Sequence, residues 1–463
     1  FFMATVPAGT QLYHGTPSEE VVKGMEWLAF EPEHALVFAR PRGGRPGRGP
    51  GHGNREEEDG PSSPPPPHDN LQRPFPNHPP HPPPTTAKGY LHTYIPTRPL
   101  RLLYIDGLSA AKTSNGTLDT QDVLLLDDTV PHDSPMGGDI ARARALCDLA
   151  STPWESKIDG ILRMEAGFEI ILCDFGSTVV RESVVAYDGP PGVGKGRVFG
   201  GWRYIQAVSG RYHGIGGGRV TLDYEDFVSV FAYDGEEGGM GMGLWDNDVA
   251  SDTPQPRLVK ASPEQLGKIR DAVTAMVLGG GGVGEGRDWQ AVADMVVTRY
   301  GKAIHYLHAD ASVRSSNEAF AKYLSALLRP FVSPSARNAS LETERCVAQI
   351  VPPLPLPPSS SPPLAHTTLH TVTTHICSTL LNALDASTLT LSRPVAATSS
   401  PPYRALDLVD GLVGYLQWTA WKECGSCADE EVCFVPIWPM GSLENHRNPQ
   451  CVTEDGVGGG YWG

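Results

Sequence analysis

Apolar side chains in the first third of the chain recur at the short spacings of strands, with two helix-like stretches between them. Leu12-Tyr13-His14-Gly15-Thr16 ends a predicted strand, and Trp27-Leu28-Ala29-Phe30 forms another ahead of the helix-like Glu33-His34-Ala35-Leu36-Val37-Phe38-Ala39. Between Gly89 and Asp106, Leu91, Tyr94, Leu102, Leu103, Tyr104 and Ile105 predict two more strands. From Asp139 to Ala150 the spacing turns helical through Ile140, Ala143, Ala145, Leu146 and Leu149, stopping before Pro153. Phe168-Glu169-Ile170-Ile171-Leu172-Cys173 then reads as a buried strand that carries one acid. Residues 1–180 are therefore expected to form an α+β domain.

Downstream, Trp202 to Val208 and Val220 to Tyr233 predict strands separated by glycines at 214 and 216 to 218, so 181–254 reads as a β-rich, Gly-rich segment. Past Pro256 the period becomes helical. Ser262-Pro263-Glu264 sets a cap, a first-turn proline and an acid ahead of Leu266, Ile269, Val273 and Met276. Further helices are expected at Trp289 to Tyr300, Glu318 to Leu328, Leu369 to Leu384 and Ala405 to Trp421, making 255–423 a mainly helical region. Residues 424–463 form a Cys-rich tail.

Composition alters this picture in two places. Pro41 to Lys88 contains Pro64 to Pro67 and Pro82 to Pro84, with only Leu71, Phe75 and Ala87 apolar, too little to support a fold. Because structured patterns flank it, 41–88 is expected to be a disordered insert within a domain. Residues 352–363 are a Pro-rich linker by the same reasoning, and Gly279 to Gly286 is a glycine-rich break.

Among 463 residues, 53 acidic side chains against 37 basic ones give a net charge of -16, which repels phosphate backbones and anionic lipid. No nucleic-acid or membrane partner is expected, and no apolar run approaches the roughly 18 residues of a span. Phe1 to Val6 has no basic segment leading into an apolar core. Four of the eight cysteines crowd the tail as Cys424-x2-Cys427, Cys433 and Cys451. Disulfides are favoured over zinc thiolates there, since regular zinc sites pair two Cys-x2-Cys knuckles and only one is present. With the sequons Asn115-Gly116-Thr117 and Asn338-Ala339-Ser340, this tilts the expected localisation towards secretion as a glycoprotein.

Gly189-Pro190-Pro191-Gly192-Val193-Gly194-Lys195 approaches a phosphate-binding loop, but Gly196 stands where Ser or Thr would hold magnesium, so a turn is favoured. Gly238 to Gly243 reads as a plain loop. His366 and His370 stand one helical turn apart with His375 and Cys377 beyond, yet no acid separates the histidines, and no metal is expected. There is no Gly-x-Ser-x-Gly elbow.

The Leu12–Thr16, Trp27–Phe30, Glu33–Ala39 and Gly167–Leu172 segments, with Gly89–Tyr94 and Arg98–Leu103 as central strands, occur in an order that resembles the ADP-ribosyltransferase fold over Val6 to Asp174. That resemblance implies NAD as substrate, bound without a metal. It also implies Glu169 as the carboxylate that stabilises an oxocarbenium-like ribosyl cation, as carboxylates do in glycoside hydrolysis. By the same resemblance His14 would hydrogen-bond a ribose hydroxyl, Gly15 would let its backbone approach the nicotinamide amide, and Phe30 or Phe38 would supply a stacking face. The second strand lacks a hydroxyl, and Gly167 stands two before Glu169. Glu165 would share the face of Glu169 only if the strand extended that far. Arginine is thus disfavoured as acceptor, leaving another protein or small-molecule acceptor, or NAD hydrolysis. The whole chain also resembles a family of uncharacterised, secreted filamentous-fungal proteins through its LYHGT, WLAFEPEHA and GYLHTY strings. The alternative is a non-catalytic secreted binding or structural protein on the same scaffold, with a metal-dependent hydrolase as a third reading.

Overall fold

The computed structural model describes residues 1–39, 88–113, 115–130, 138–187, 202–209, 216–234, 241–245, 256–279, 286–354, 361–391, 403–422, 424–434, 445 and 448–456. The disordered-insert reading of 41–88, Lys88 apart, and the phosphate-loop-like 189–195 lie outside the described residues.

The first third folds as strands β1 (Phe2–Val6), for which no strand was expected, β2 (Leu12–Thr16) and β3 (Glu26–Ala29), then helix α1 (Pro32–Leu36), β4 (Gly89–Pro96) and β5 (Leu100–Tyr104). A π-helical turn at Thr120–Leu125 precedes α2 (Asp139–Ser151), β6 (Gly160–Met164), β7 (Phe168–Leu172), the short α3 (Phe175–Thr178) and β8 (Val179–Tyr187). Then come α4 (Trp202–Ser209), β9 (Thr221–Phe227) and α5 (Pro263–Gly279). The nine strands form one sheet in the order β8-β4-β2-β3-β7-β6-β5-β1-β9. Every pairing is antiparallel except β5 with β6.

Successive residues of a strand face opposite ways, so the register divides the sheet into two surfaces. One carries Met3, Leu103, Ile161 and Ile171 and packs with Leu146 of α2, Leu124 of the π-turn, and Ile269 and Val273 of α5. The other carries Val6, Leu12, Leu28, Leu100, Ile170 and Leu172, with Tyr94 and Phe175. Leu100 on β5 and Leu12 on β2 are four positions apart in the strand order yet share this core, so the sheet curls around it. The disulfide Cys147–Cys173 ties α2 to the end of β7.

Trp202–Ser209 is a helix, which overturns the strand expected at Trp202 to Val208. Tyr204, Ile205 and Val208 are its buried positions, the one- and four-residue spacings of a helical face, and a window this short is ambiguous by pattern alone. Ser262 caps α5 as expected, accepting from the Gln265 amide while Gln265 accepts from the Ser262 amide. α5 packs under the sheet rather than with the later helices.

The later helices are α6 (Trp289–Ala309), α7 (Ala311–Arg314), α8 (Asn317–Leu328), α9 (Ala339–Ala348), α10 (Leu364–Leu391) and α11 (Tyr403–Leu416). Their apolar faces build a separate core around Tyr300, Ile304, Phe320, Leu324, Leu380 and Val409. Asp288, Ser316 and Asn338 cap α6, α8 and α9. Cys346–Cys377 joins α9 to α10, so Cys377 is not available as a metal ligand beside His366 and His370. In the tail, Cys424–Cys433 and Cys427–Cys451 staple a hairpin of β10 (Val432–Phe434) and β11 (Gln450–Val452). Among the described residues no helix is long and apolar enough to cross a membrane.

Candidate functional site

The centre of the sheet brings three of the chemically marked strands side by side, β2 next to β3 and β3 next to β7. Tyr13 pairs with Ala29, Ala29 with Glu169, and Glu169 with Arg163 of β6, so these four residues form one row on one surface. Gly15 belongs to the same surface. A Cβ there would lie 1.9 Å from the Ala35 carbonyl oxygen of α1, so glycine is what lets α1 seat against β2. α1 in turn carries His34 to Glu169, with Nε2 3.7 Å from the carboxylate.

His14 points the other way. Its neighbours in sequence, Tyr13 and Gly15, face α1, whereas its own ring packs against Phe175 and His92 on the opposite surface. β2 and β3 are paired only at Tyr13 and Ala29, and His14 Nδ1 donates to the Trp27 carbonyl at 2.8 Å, closing the fork where the strands separate. Burial holds the His14 ring below its ordinary pKa against the raising effect of that carbonyl and Glu26. Phe30 is 2% exposed in the sheet's inner core with the Arg219 guanidinium over its ring, whereas Phe38 is 54% exposed with its ring 6.1 Å from His34. Of the residues expected around NAD, the fold thus gathers Glu169, Gly15 and Phe38 on one side and leaves His14 and Phe30 on the other.

Around Glu169 lies a charge cluster that the sequence did not reveal as a unit. Arg163 Nε donates to Glu169 Oε1 at 2.7 Å and its NH1 to Gln121 Oε1 at 2.9 Å. Lys112 Nζ lies 3.3 Å from Glu165 and 3.0 Å from Asp139, and Arg142 holds Asp122 at 2.9 Å. Tyr204 of α4 places its hydroxyl 3.0 Å from His34 Nδ1. If Tyr204 donates, the ring proton sits on Nε2 and faces Glu169.

These contacts push the two glutamates in opposite directions. Burial alone would push the Glu169 carboxyl up, but Arg163, His34 and Lys112 outweigh it and hold the group well below the usual range, at about 2. Glu165 goes the opposite way, raised by burial and by the nearby Glu169 despite Lys112. Burial also works against the Lys112 charge, yet Glu165 and Asp139 keep its pKa above normal. The Tyr204 phenol is raised well above its ordinary value by burial and the two glutamates. Glu165 reaches the cluster through the tight β6–β7 turn, where its amide meets the Gly167 carbonyl, and not through a longer strand.

Arg163 offered one legible signal, as the single charge within the otherwise apolar Ile161-Leu162-Arg163-Met164. Lys112 and Tyr204 offered none, because neither segment has a pattern that says what it will cover. His366 Nε2 lies 3.2 Å from the Pro352 carbonyl, while the His375 ring packs on Tyr415.

Residues 1–186, which span this sheet from β1 to β8, match the family model described as the YPL277C N-terminal domain. The chain is 31% identical over 195 residues to uncharacterized protein YPL277C of Saccharomyces cerevisiae, an alignment covering 39% of this chain and 37% of that protein. To uncharacterized protein YOR389W of the same yeast it is 24% identical over 524 residues, covering 96% of this chain and 79% of the relative. No solved structure matches the chain significantly. The expected likeness to an uncharacterised family thus holds in the coarser form of a likeness to these yeast proteins, with the family model falling on the domain that carries Glu169 and its partners.

Proposed function

We propose that the sheet domain is an NAD-using domain of ADP-ribosyltransferase type, in which Glu169 is the carboxylate that meets the ribosyl cation as nicotinamide departs. The observation that carries this reading is a glutamate buried at the middle of the sheet against the Arg163 guanidinium, in a water-poor setting where a fixed negative charge acts strongly on a developing positive one. The adjacency of β2, β3 and β7 supports it too, since the strands that the resemblance groups around NAD are neighbours here. In this reading Phe38 supplies the exposed ring for stacking, Gly15 seats α1, and His14 pins the fork of β2 and β3 rather than touching the ribose. Bond cleavage moves the glycosidic electron pair onto nicotinamide, and water or an acceptor nucleophile then adds to the ribosyl carbon. Four closed disulfides favour an oxidising compartment, in keeping with secretion.

A second reading also has a specific observation behind it. Glu169 is 6% exposed and already engaged by Arg163 and His34, which suits a structural charge cluster in a non-catalytic binding protein. Nicotinamide release from NAD by the purified full chain separates the two. Glu169→Gln keeps the shape and removes the charge, and should lower release by roughly a hundredfold or more, the scale of losing one preorganised electrostatic contact. Release that is indifferent to this change removes Glu169 from the chemistry.

A further inference from the structure

Tyr204 is 3% exposed and sits between α4 and the Glu169 cluster, its hydroxyl on His34. The apolar side of α4 does not join any of the three larger cores. Tyr204, Ile205 and Val208 pack instead with Ala166, from the β6–β7 turn, and with Val432 and Phe434 of β10. α4 is therefore held over the cluster by α1 on one side and by the tail hairpin on the other. That hairpin has three cross-strand residue pairs, and a two-stranded ribbon this short has little stability of its own. What fixes it is the pair of cystines Cys424–Cys433 and Cys427–Cys451, whose four residues are all partly exposed. By contrast, Cys346–Cys377 is fully buried in the helical core.

We propose that α4 and the cystine-stapled β10–β11 hairpin form a redox-released cover over Glu169 and His34. Reduction by a dithiol opens it. The reductant's thiolate attacks one cystine sulfur to give a mixed disulfide, and its second thiol displaces the protein sulfur. Each bridge becomes two protein thiols as the dithiol is oxidised, two electrons per bond. Val432 and Phe434 then lose their fixed position, α4 loses the half of its support that the hairpin gives, and the Tyr204 to His34 contact is released. The proposal rests on the NAD reading only for what the opened site would do.

Covering is read directly by diethyl pyrocarbonate modification of the full chain, followed residue by residue with peptide mass spectrometry. His34 should react slowly in the oxidised protein. In a Cys424→Ser, Cys433→Ser, Cys427→Ser, Cys451→Ser chain, and in Phe434→Ser with the cystines intact, its rate should rise roughly tenfold or more, as expected of a locally opened segment. His14, on the other sheet surface, should stay slow in all samples. A His34 rate unchanged in both variants overturns the cover, and so does a parallel rise at His14, because the hairpin would then support the whole domain. Nicotinamide release on the same samples keeps the two ideas apart. His34 uncovered without release defeats the NAD reading alone, and release with His34 still covered defeats the cover alone.

Discussion

The sheet domain and the helical region both pair arginine with carboxylates, but they do so at different depths. Arg163 and Glu169 have side chains 1% and 8% exposed, whereas Arg314 and Asp410, joining α7 to α11 at 2.7 Å, are 31% and 37% exposed. The helical region leaves most of its charges at the rim, with Glu342 alone of its paired acids buried among the described residues, at 1% beside an Arg337 that is 34% exposed, so its ion pairs put less desolvation at stake. The sheet domain takes several charges out of water, which is tolerated only when each finds partners. Such a cluster is the less economical way to hold a fold together, and that is a reason to look for chemistry there.

The largest expected effect comes from unbalancing the buried pair. Arg163→Met should destabilise the sheet domain by about 3–5 kcal/mol in urea or thermal unfolding, because Glu169 would be left charged and dry. The pH dependence should change with it. Glu169 is held at about 2 in the fold against an ordinary 4.5, so the stability it contributes is complete above 4.5 and is lost as pH falls towards 2. That slope should flatten in Arg163→Met, whose acid limb would then follow the other carboxylates; an unaltered limb means that Arg163 does not hold Glu169.

Gly15→Ala comes next. The added methyl meets the Ala35 carbonyl at 1.9 Å and the Ala39 amide at 2.7 Å, both backbone, so α1 has to move, at a cost of about 1–3 kcal/mol. Because α1 carries His34, the same variant should speed His34 modification. A wild-type melting curve for Gly15→Ala would mean that α1 is loosely seated.

The smallest effect marks the other side of the comparison. Arg314→Ala should lower stability by no more than about 1 kcal/mol, since its pair with Asp410 is 31% and 37% exposed, and high salt should shrink the difference further. A loss as large as that of Arg163→Met would erase the contrast between the two regions.

Much of the architecture follows from local pattern. The strands at Leu12–Thr16 and Phe168–Leu172, the helix from Asp139, the Ser262 cap of α5 and the helical texture after it are set by residues a few positions apart, and neighbours in sequence carry that information. The strand expected at Trp202 to Val208 is a helix because so short a window with a mixed apolar pattern fits either period, and burial against β10 and α1 decides for helix. The cystine tail was legible as cross-linked through its cysteine crowding, while the pairing of Cys424 with Cys433 and of Cys427 with Cys451 depends on how the hairpin folds.

Glu169 was visible as one acid inside an apolar strand, and Phe38 as an aromatic in the helix-like Glu33–Ala39 segment. Sequence alone could not separate His14 from Glu169, because the side on which a strand residue points depends on the strand beside it. The single pairing of Tyr13 with Ala29, and of Ala29 with Glu169, turns His14 away and brings Arg163 and His34 in. Composition and period thus determined many of the strands and helices, and that one strand carries an acid within an apolar run. The tertiary structure decided which charges meet it, since ion pairing acts over a few ångströms between residues that the chain alone leaves far apart.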